Sequence, residues 1–328
     1  MIWGLPSEGI FAYTSEVIRF SVAGRRSPSA GDGISYSVLT RIIMMLRTLT
    51  LFLSAASLIL SGDTVNQLSD GEKLAGWQLL FDGETTTGWE GFNDTPFPSQ
   101  SWAIENGTIR TLADRRGGDL VSVSQFENFE LVFDWRLVSG GNSGVKYLVQ
   151  KAWAGPGYRP HNSAEAKRLS LLHATGPEYQ LLDDDSLNRK REGWEYSSCG
   201  SLYLLHKPDP AAKQVHPAGE WNRSRIVVSG AHGEHWLNGK KLLEFEFNSP
   251  DMFARIEKTK FRSVPGFGFK GPGYIALTHH NHPVWYRNIK IRPIDGPRVR
   301  DFLPGRLFDP NGLIPPPPRP PQPGDPTH

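Results

Sequence analysis

Cysteine is almost missing: Cys199 is the single one in 328 residues, so no disulfide can close within the chain. A thiol in the run Ser197-Ser198-Cys199-Gly200 becomes nucleophilic only beside a base or a positive charge. Nothing adjacent in sequence supplies one, so Cys199 reads as inert. An excess of one charge is missing as well. Lys and Arg number 36 against 34 Asp and Glu, with no clustered basic face of the kind nucleic acid requires, so no nucleic-acid partner is expected. Helical periodicity is thin, and no strand–helix–strand alternation appears, which disfavours a parallel α/β fold. There is no Walker loop, HExxH, CxxC or GxSxG. One GxGxxG spacing, Gly266, Gly268 and Gly271, leads into a predicted strand instead of a helix. It therefore lacks the context that binds a dinucleotide and reads as a turn-rich loop. His279, His280 and His282 raise a metal site, but on a strand at most two of them share a face. No metal site is assigned and no cofactor is expected, with a divalent cation left open.

What is present favours a turn-rich β protein. Hydrophobic residues make up 38% of the chain, with 10 Trp, 34 Gly and 26 Pro, enough for a large core and many turns. From Met45 a basic Arg47 precedes an apolar run, Leu49 to Leu60, followed by small residues. That order is the order of a secretory signal, and the run is short for a membrane span. Residues 45–62 are therefore expected to be a signal peptide or anchor, and residues 1–44 a mis-called or disordered extension. Residues 295–328, with Pro315 to Pro318 at their centre, form a Pro-rich tail expected to be extended or disordered. The protein is expected to be exported, to the periplasm or beyond, with no membrane partner other than that anchor; oligomeric state is left open.

Between residues 73 and 294 short runs alternate with period two, separated by Gly, Asn, Asp and Pro. In Phe129 to Leu137, FELVFDWRL, the side chains of Leu131, Phe133, Trp135 and Leu137 fall on one face. Glu130, Val132, Asp134 and Arg136 fall on the other. Glu178 to Leu182 repeats the pattern, with Tyr179 and Leu181 opposed to Glu178 and Gln180. Further strands are expected at Trp221 to Ser229, Glu234 to Phe247 (broken by the hairpin pair Asn238-Gly239), Gly273 to His280 and Trp285 to Arg292. Short helices are expected at Ser163 to Leu172 and Pro250 to Lys258. The fold class is all-β: a two-sheet antiparallel jelly-roll sandwich with short helical insertions.

The motifs then fall in a recognisable order. Leu80-Phe81-Asp82-Gly83, Thr87-Gly88-Trp89, Trp102 and Asn106-Gly107 come first. Phe129 to Arg136, Gly141-Asn142-Ser143-Gly144-Val145 and Pro177 to Asp183 follow, then Lys207-Pro208, Gly219 to Asn222 and Trp236 to Gly239. Lys260-Phe261, Gly273 to Leu277 and Val284 to Ile291 complete the series. This order resembles the 3-keto-disaccharide hydrolase family over roughly Gly76 to Pro293. The resemblance implies a concanavalin A-like jelly roll that hydrolyses 3-keto glycosides. Relatives read Gln-Asp-His where this chain has Thr278-His279-His280, so an acidic position has become His279.

A ketone at C3 acidifies the hydrogen on C2, so the glycosidic bond can leave by elimination and water can then add. That route needs a base at C2, positive charge near the keto oxygen, and a proton for the leaving oxygen. The residues expected to supply them are Glu178 as base or acid, Arg136 and Lys207 as stabilising cations, and His280 for proton transfer. Asp134, Asn142, Gln180 and Asn222 are expected to bind the carbohydrate substrate. A two-carboxylate glycosidase mechanism through Asp134 and Glu178 is the mechanistic alternative. A non-catalytic, lectin-like carbohydrate-binding module is the functional one, disfavoured because the polar face carries ionisable groups rather than stacking aromatics.

Overall fold

A computed structural model describes residues 64–93, 95–113, 117–151, 173–185, 191–264 and 266–296. The segments expected as leader and extension, the tail from 297 onward, and the helix expected at Ser163 to Leu172 lie outside the described residues. Among the described residues thirteen strands form two antiparallel sheets. The larger sheet contains β3 (Trp102–Glu105), β4 (Thr108–Thr111), β6 (Phe129–Leu137), β9 (Asn222–Ser229), β10 (His232–Leu237), β11 (Lys240–Glu246) and β13 (Val284–Pro293). Its order is β11-β10-β9-β6-β13-β4-β3, and β1 (Gln78–Leu79) pairs with the far half of β13. The smaller sheet runs β2 (Trp89–Gly91), β5 (Leu120–Phe126), β12 (Gly273–Leu277), β7 (Asn142–Val149), β8 (Glu178–Leu182).

Alternation along the strands decides which faces meet. Phe129, Leu131, Phe133 and Trp135 of β6 are fully buried, as are Val145 and Tyr147 of β7, Tyr179 and Leu181 of β8, and Ile275 and Leu277 of β12. They fill the space between the sheets in one core. Each such side chain contributes roughly 1.5–3 kcal/mol relative to exposure. Polar links cross the core, among them Tyr147 Oη to His235 Nε2 at 2.9 Å, Ser143 Oγ to Tyr286 Oη at 2.7 Å and Tyr179 Oη to the Trp236 carbonyl at 3.1 Å. Burial drives the His235 pKa down to about 3, so the ring stays neutral and its Nδ1 serves the Gly200 carbonyl.

The turns follow from residue type. Asn238 and Gly239, at φ 47° and 82°, join β10 to β11 with the pair of positive φ angles expected for a tight hairpin. Gly266 and Gly268 are also at positive φ, in the turn-rich loop expected there. A first helix, α1 (Asp70–Leu74), opens on a Ser69/Glu72 capping box. A second, α2 (Pro250–Ile256), has Ser249 as cap and buries Met252 and Ile256.

One strand is shorter than its sequence suggests. β12 stops at Leu277, because the next amides leave the ladder: Thr278 N–H donates to Gly144 O and His279 N–H to the Asp119 carboxylate. His279, His280 and His282 thus sit in the connection to β13, not on a strand.

Candidate active site on the smaller sheet

Since Tyr179 and Leu181 point inward, Glu178 and Gln180 emerge on the outer face of the smaller sheet. The neighbouring strand is antiparallel, with Lys146 opposite Glu178, Gly144 opposite Gln180 and Asn142 opposite Leu182. Parity therefore brings Asn142, Gly144, Lys146, Glu178 and Gln180 onto one surface. Gln180 Nε2 donates to Asn142 Oδ1 at 2.8 Å. Gly144 is there for space: a Cβ on it would stand 2.1 Å from Glu178 Oε1.

Glu178 is only 6% exposed, and among the described residues its Oε1 has no hydrogen-bond partner. Burial raises its pKa above the ordinary 4.5, against the pull of Lys146. Asp119, Lys260 and His173 also act on its charge. An orphaned buried carboxyl is costly to keep, which makes it a candidate for chemistry.

Beside it lies a carboxylate wired in the opposite way. Asp119 precedes β5 and is fully buried. It accepts from Lys146 Nζ (3.2 Å), His173 Nδ1 (3.0 Å), the Ala174 N–H (2.9 Å) and the His279 N–H (3.0 Å). Burial alone would raise its pKa, but Lys146 and His173 outweigh that and hold it well below the ordinary carboxylate range. Lys146 also donates to Ala174 O at 2.7 Å, which fixes its ammonium beside Glu178. His280 is open to solvent at the lip of this surface. The surrounding protein, and then Lys146, press its pKa down to about 4, so the ring is neutral at neutral pH. An apolar flank of Phe92, Val121, Val149, Ala174 and Ala276 borders the polar groups.

Four of the eight residues expected from sequence thus meet here: Glu178, Gln180, Asn142 and His280. The other four do not, and the expectation of one shared surface is corrected for them. Asp134 and Arg136 stand on the outer face of the larger sheet, across the core from Glu178. Their parity within β6 holds, but β6 and β8 belong to different sheets. Asp134 is paired by Arg223 (2.7 Å) and Arg287 (3.7 Å) from the strands on either side and accepts from Asn288 Nδ2 at 2.6 Å. Arg136 stacks between Trp221 and Trp285, 5.0 and 4.8 Å from their ring centroids. The two-carboxylate pairing of Asp134 with Glu178 therefore has no geometric basis. Lys207 is exposed, beyond the Leu202–His206 bridge, and makes no side-chain contact with Glu178 among the described residues. Asn222 accepts from the His216 N–H (2.8 Å) and Asn238 Nδ2 (2.9 Å). It lines a separate cavity of about 320 Å³ with Trp135 and Trp194.

Sequence reasoning passed over Lys146, Asp119 and His173. The parity of β7 contained the signal for Lys146, two residues beyond Gly144 on the Asn142 face. Asp119 and His173 stand in irregular segments, where no period marks a face. Cys199 is inert as expected, buried with its thiol pushed up to about 12. Among the described residues, the histidine–acid group tight enough for a metal is His232, Glu234 and Glu244, on the β10–β11 hairpin. There Lys241 already bridges the two glutamates.

A two-sheet β-sandwich with an acid, a fixed cation and amide side chains on one outer face is the build of a carbohydrate-active hydrolase. Residues 76–292 match the sequence profile of the 3-keto-alpha-glucoside-1,2-lyase-like domain, and the chain belongs to that family. It is 30% identical over 238 residues to a 3-keto-disaccharide hydrolase of Bacteroides thetaiotaomicron, covering 67% of this chain and 79% of that relative. A crystal structure of a Parabacteroides distasonis protein assigned as a glycosyl hydrolase is 33% identical, with a TM-score of 0.58. The match covers 71% of this chain and 100% of that one. The chain is accordingly a glycosidase-type hydrolase on an all-β sandwich.

Proposed function

We propose that the chain cleaves 3-keto glycosides, disaccharides among them, by elimination followed by hydration, with Glu178 as the base at C2. The observation that carries this reading is the Glu178 carboxyl itself: buried, unpartnered at Oε1, raised in pKa and set beside the fixed ammonium of Lys146. A carboxylate of raised pKa is a stronger base than a free one. Lys146 takes the part first given to Arg136 and Lys207, since it is the cation held beside Glu178 and can offset the negative charge of an enolate formed there. Gln180 and Asn142 orient ring hydroxyls. The leader-like sequence at 45–62 supports an exported enzyme meeting its substrate outside the cytoplasm.

The test is to incubate the purified chain with a 3-keto disaccharide and with its unoxidised parent. Sugar release is expected from the keto substrate alone, and Glu178→Gln abolishes it. A keto substrate deuterated at C2 is expected to show a primary isotope effect on kcat/KM, because the C2–H bond breaks in the elimination. Equal rates for the two isotopologues would rule out this route.

A further inference from the structure

We propose that His173, oriented by Asp119, is the proton donor to the departing glycosidic oxygen; this rests on the elimination reading above. His173 Nδ1 is bonded at 3.0 Å to a carboxylate that is itself fully buried, while 37% of the side chain remains exposed. The anchored edge of the ring is therefore the Nδ1 edge, which leaves Nε2 as the unanchored edge of a partly exposed ring close enough for its charge to act on Glu178. A buried carboxylate on Nδ1 fixes tautomer and ring orientation, leaving Nε2 as the atom that exchanges protons. The same Asp119 holds Lys146, the cation opposite Glu178. One buried carboxylate thus sets the acid and the enolate-stabilising charge together. His280, whose pKa is pressed down to about 4, is neutral at neutral pH and holds no extra proton to give away.

The steps balance. Glu178 takes the C2 proton, and the C–H electron pair becomes the enolate with C3. The enolate then forms the C1–C2 double bond as the C1–O bond breaks, and the leaving oxygen takes the His173 Nε2 proton. In the second half, neutral His173 removes a proton from the water that adds to C1, and Glu178 returns its proton to C2. The sum is one water consumed, two sugars released and both side chains restored.

A donor of this kind matters only when the leaving oxygen is strongly basic, and that separates His173 from Glu178. The experiment compares a 3-keto disaccharide with the 4-nitrophenyl 3-keto glucoside, whose nitrophenolate leaves without a proton, using wild-type chain and His173→Gln. The variant is expected to lose about 10²–10⁴-fold on the disaccharide and less than about fivefold in the first-turnover release of nitrophenolate, which precedes the hydration half where His173 acts again. His173→Ala is expected to regain disaccharide turnover with added imidazole. Equal losses on both substrates, or none on either, would overturn the assignment while leaving the proposed function intact. A wild-type chain that turns over neither keto substrate overturns both.

Discussion

Glu178 and Asp134 are almost equally buried, at 6% and 5% exposure, and each stands on the outer face of a sheet. Their surroundings have nothing else in common. Asp134 is flanked by arginines on both neighbouring strands and capped by Asn288. Four residues away along β6, Glu130 is held in the same manner by Arg225 and Arg292. Glu178 faces a lysine already engaged by Asp119, and its Oε1 goes unanswered. A carboxylate enclosed by bidentate guanidinium groups is committed to the fold. One left unsatisfied, with space kept open for it by a glycine, costs the fold and is available to a substrate. The sandwich thus has a stapled face and a reactive face.

The largest effect expected from this contrast is on turnover. Glu178→Gln should lower kcat by about 10²–10⁴-fold on a keto substrate, read by sugar release. The same change should not weaken the fold. Burial places the Glu178 pKa above 4.5 in the folded chain, so the folded state binds that proton more tightly than the unfolded one. Stability therefore falls as pH rises from 4.5 through the folded pKa. Glutamine removes that slope, and thermal melts above pH 4.5 should show a flatter, higher curve. Asp119 carries the opposite sign: its pKa lies below 3.8, so its contribution is complete above 3.8 and is lost as pH falls further. A Glu178→Gln chain that melts lower at neutral pH would mean that the carboxylate is stapled after all.

Next in size is a change one strand away. Gly144→Ala puts a methyl group where Glu178 Oε1 now sits. The carboxyl must swing aside, and a catalytic group moved by about 1 Å costs on the order of 10²-fold. The backbone at 144 is an ordinary strand, so stability should change little. Turnover near the wild-type rate would indicate that Glu178 acts from another rotamer.

Strand alternation made much of this legible in advance. The inner faces of β6 and β8, the hairpin at Asn238-Gly239 and the Pro250 helix all follow from residue period and turn chemistry. So does the grouping of Glu178 with Gln180. Period gives the face of a strand but not the sheet it belongs to, and Asp134 and Arg136 were misjudged for that reason. Whether β6 lies beside β8 depends on pairings between strands far apart in sequence, which no local pattern encodes. Asp119 and His173 were out of reach for a second reason. Each sits in an irregular stretch and acquires its role from hydrogen bonds to residues 27 to 160 positions away.

Two smaller predictions probe the stapled face. Asp134→Ala strips partners from Arg223, Arg287 and Asn288 and should cost about 1–3 kcal/mol in denaturant unfolding. The lower half of that range is expected, because Arg223 is 43% exposed and water can replace part of the pairing. Turnover by the folded fraction should be unchanged.

The smallest expected effect is the most discriminating. Arg136 is a cation of the polar face of β6, the position from which sequence reasoning aimed it at a substrate. Its guanidinium instead fills the gap between Trp221 and Trp285. Arg136→Ala should cost roughly 0.5–2 kcal/mol of cation–π and packing energy, with kcat and KM on a keto substrate within about twofold of wild type. Lys207→Ala should be silent in both measurements. If Arg136→Ala instead lowered kcat by orders of magnitude while the melt barely moved, the reactive face would have to extend around the sandwich edge. The division between stapled and reactive sheets would then fail, because charge placed across a packed core some 10 Å thick has no direct path to the groove.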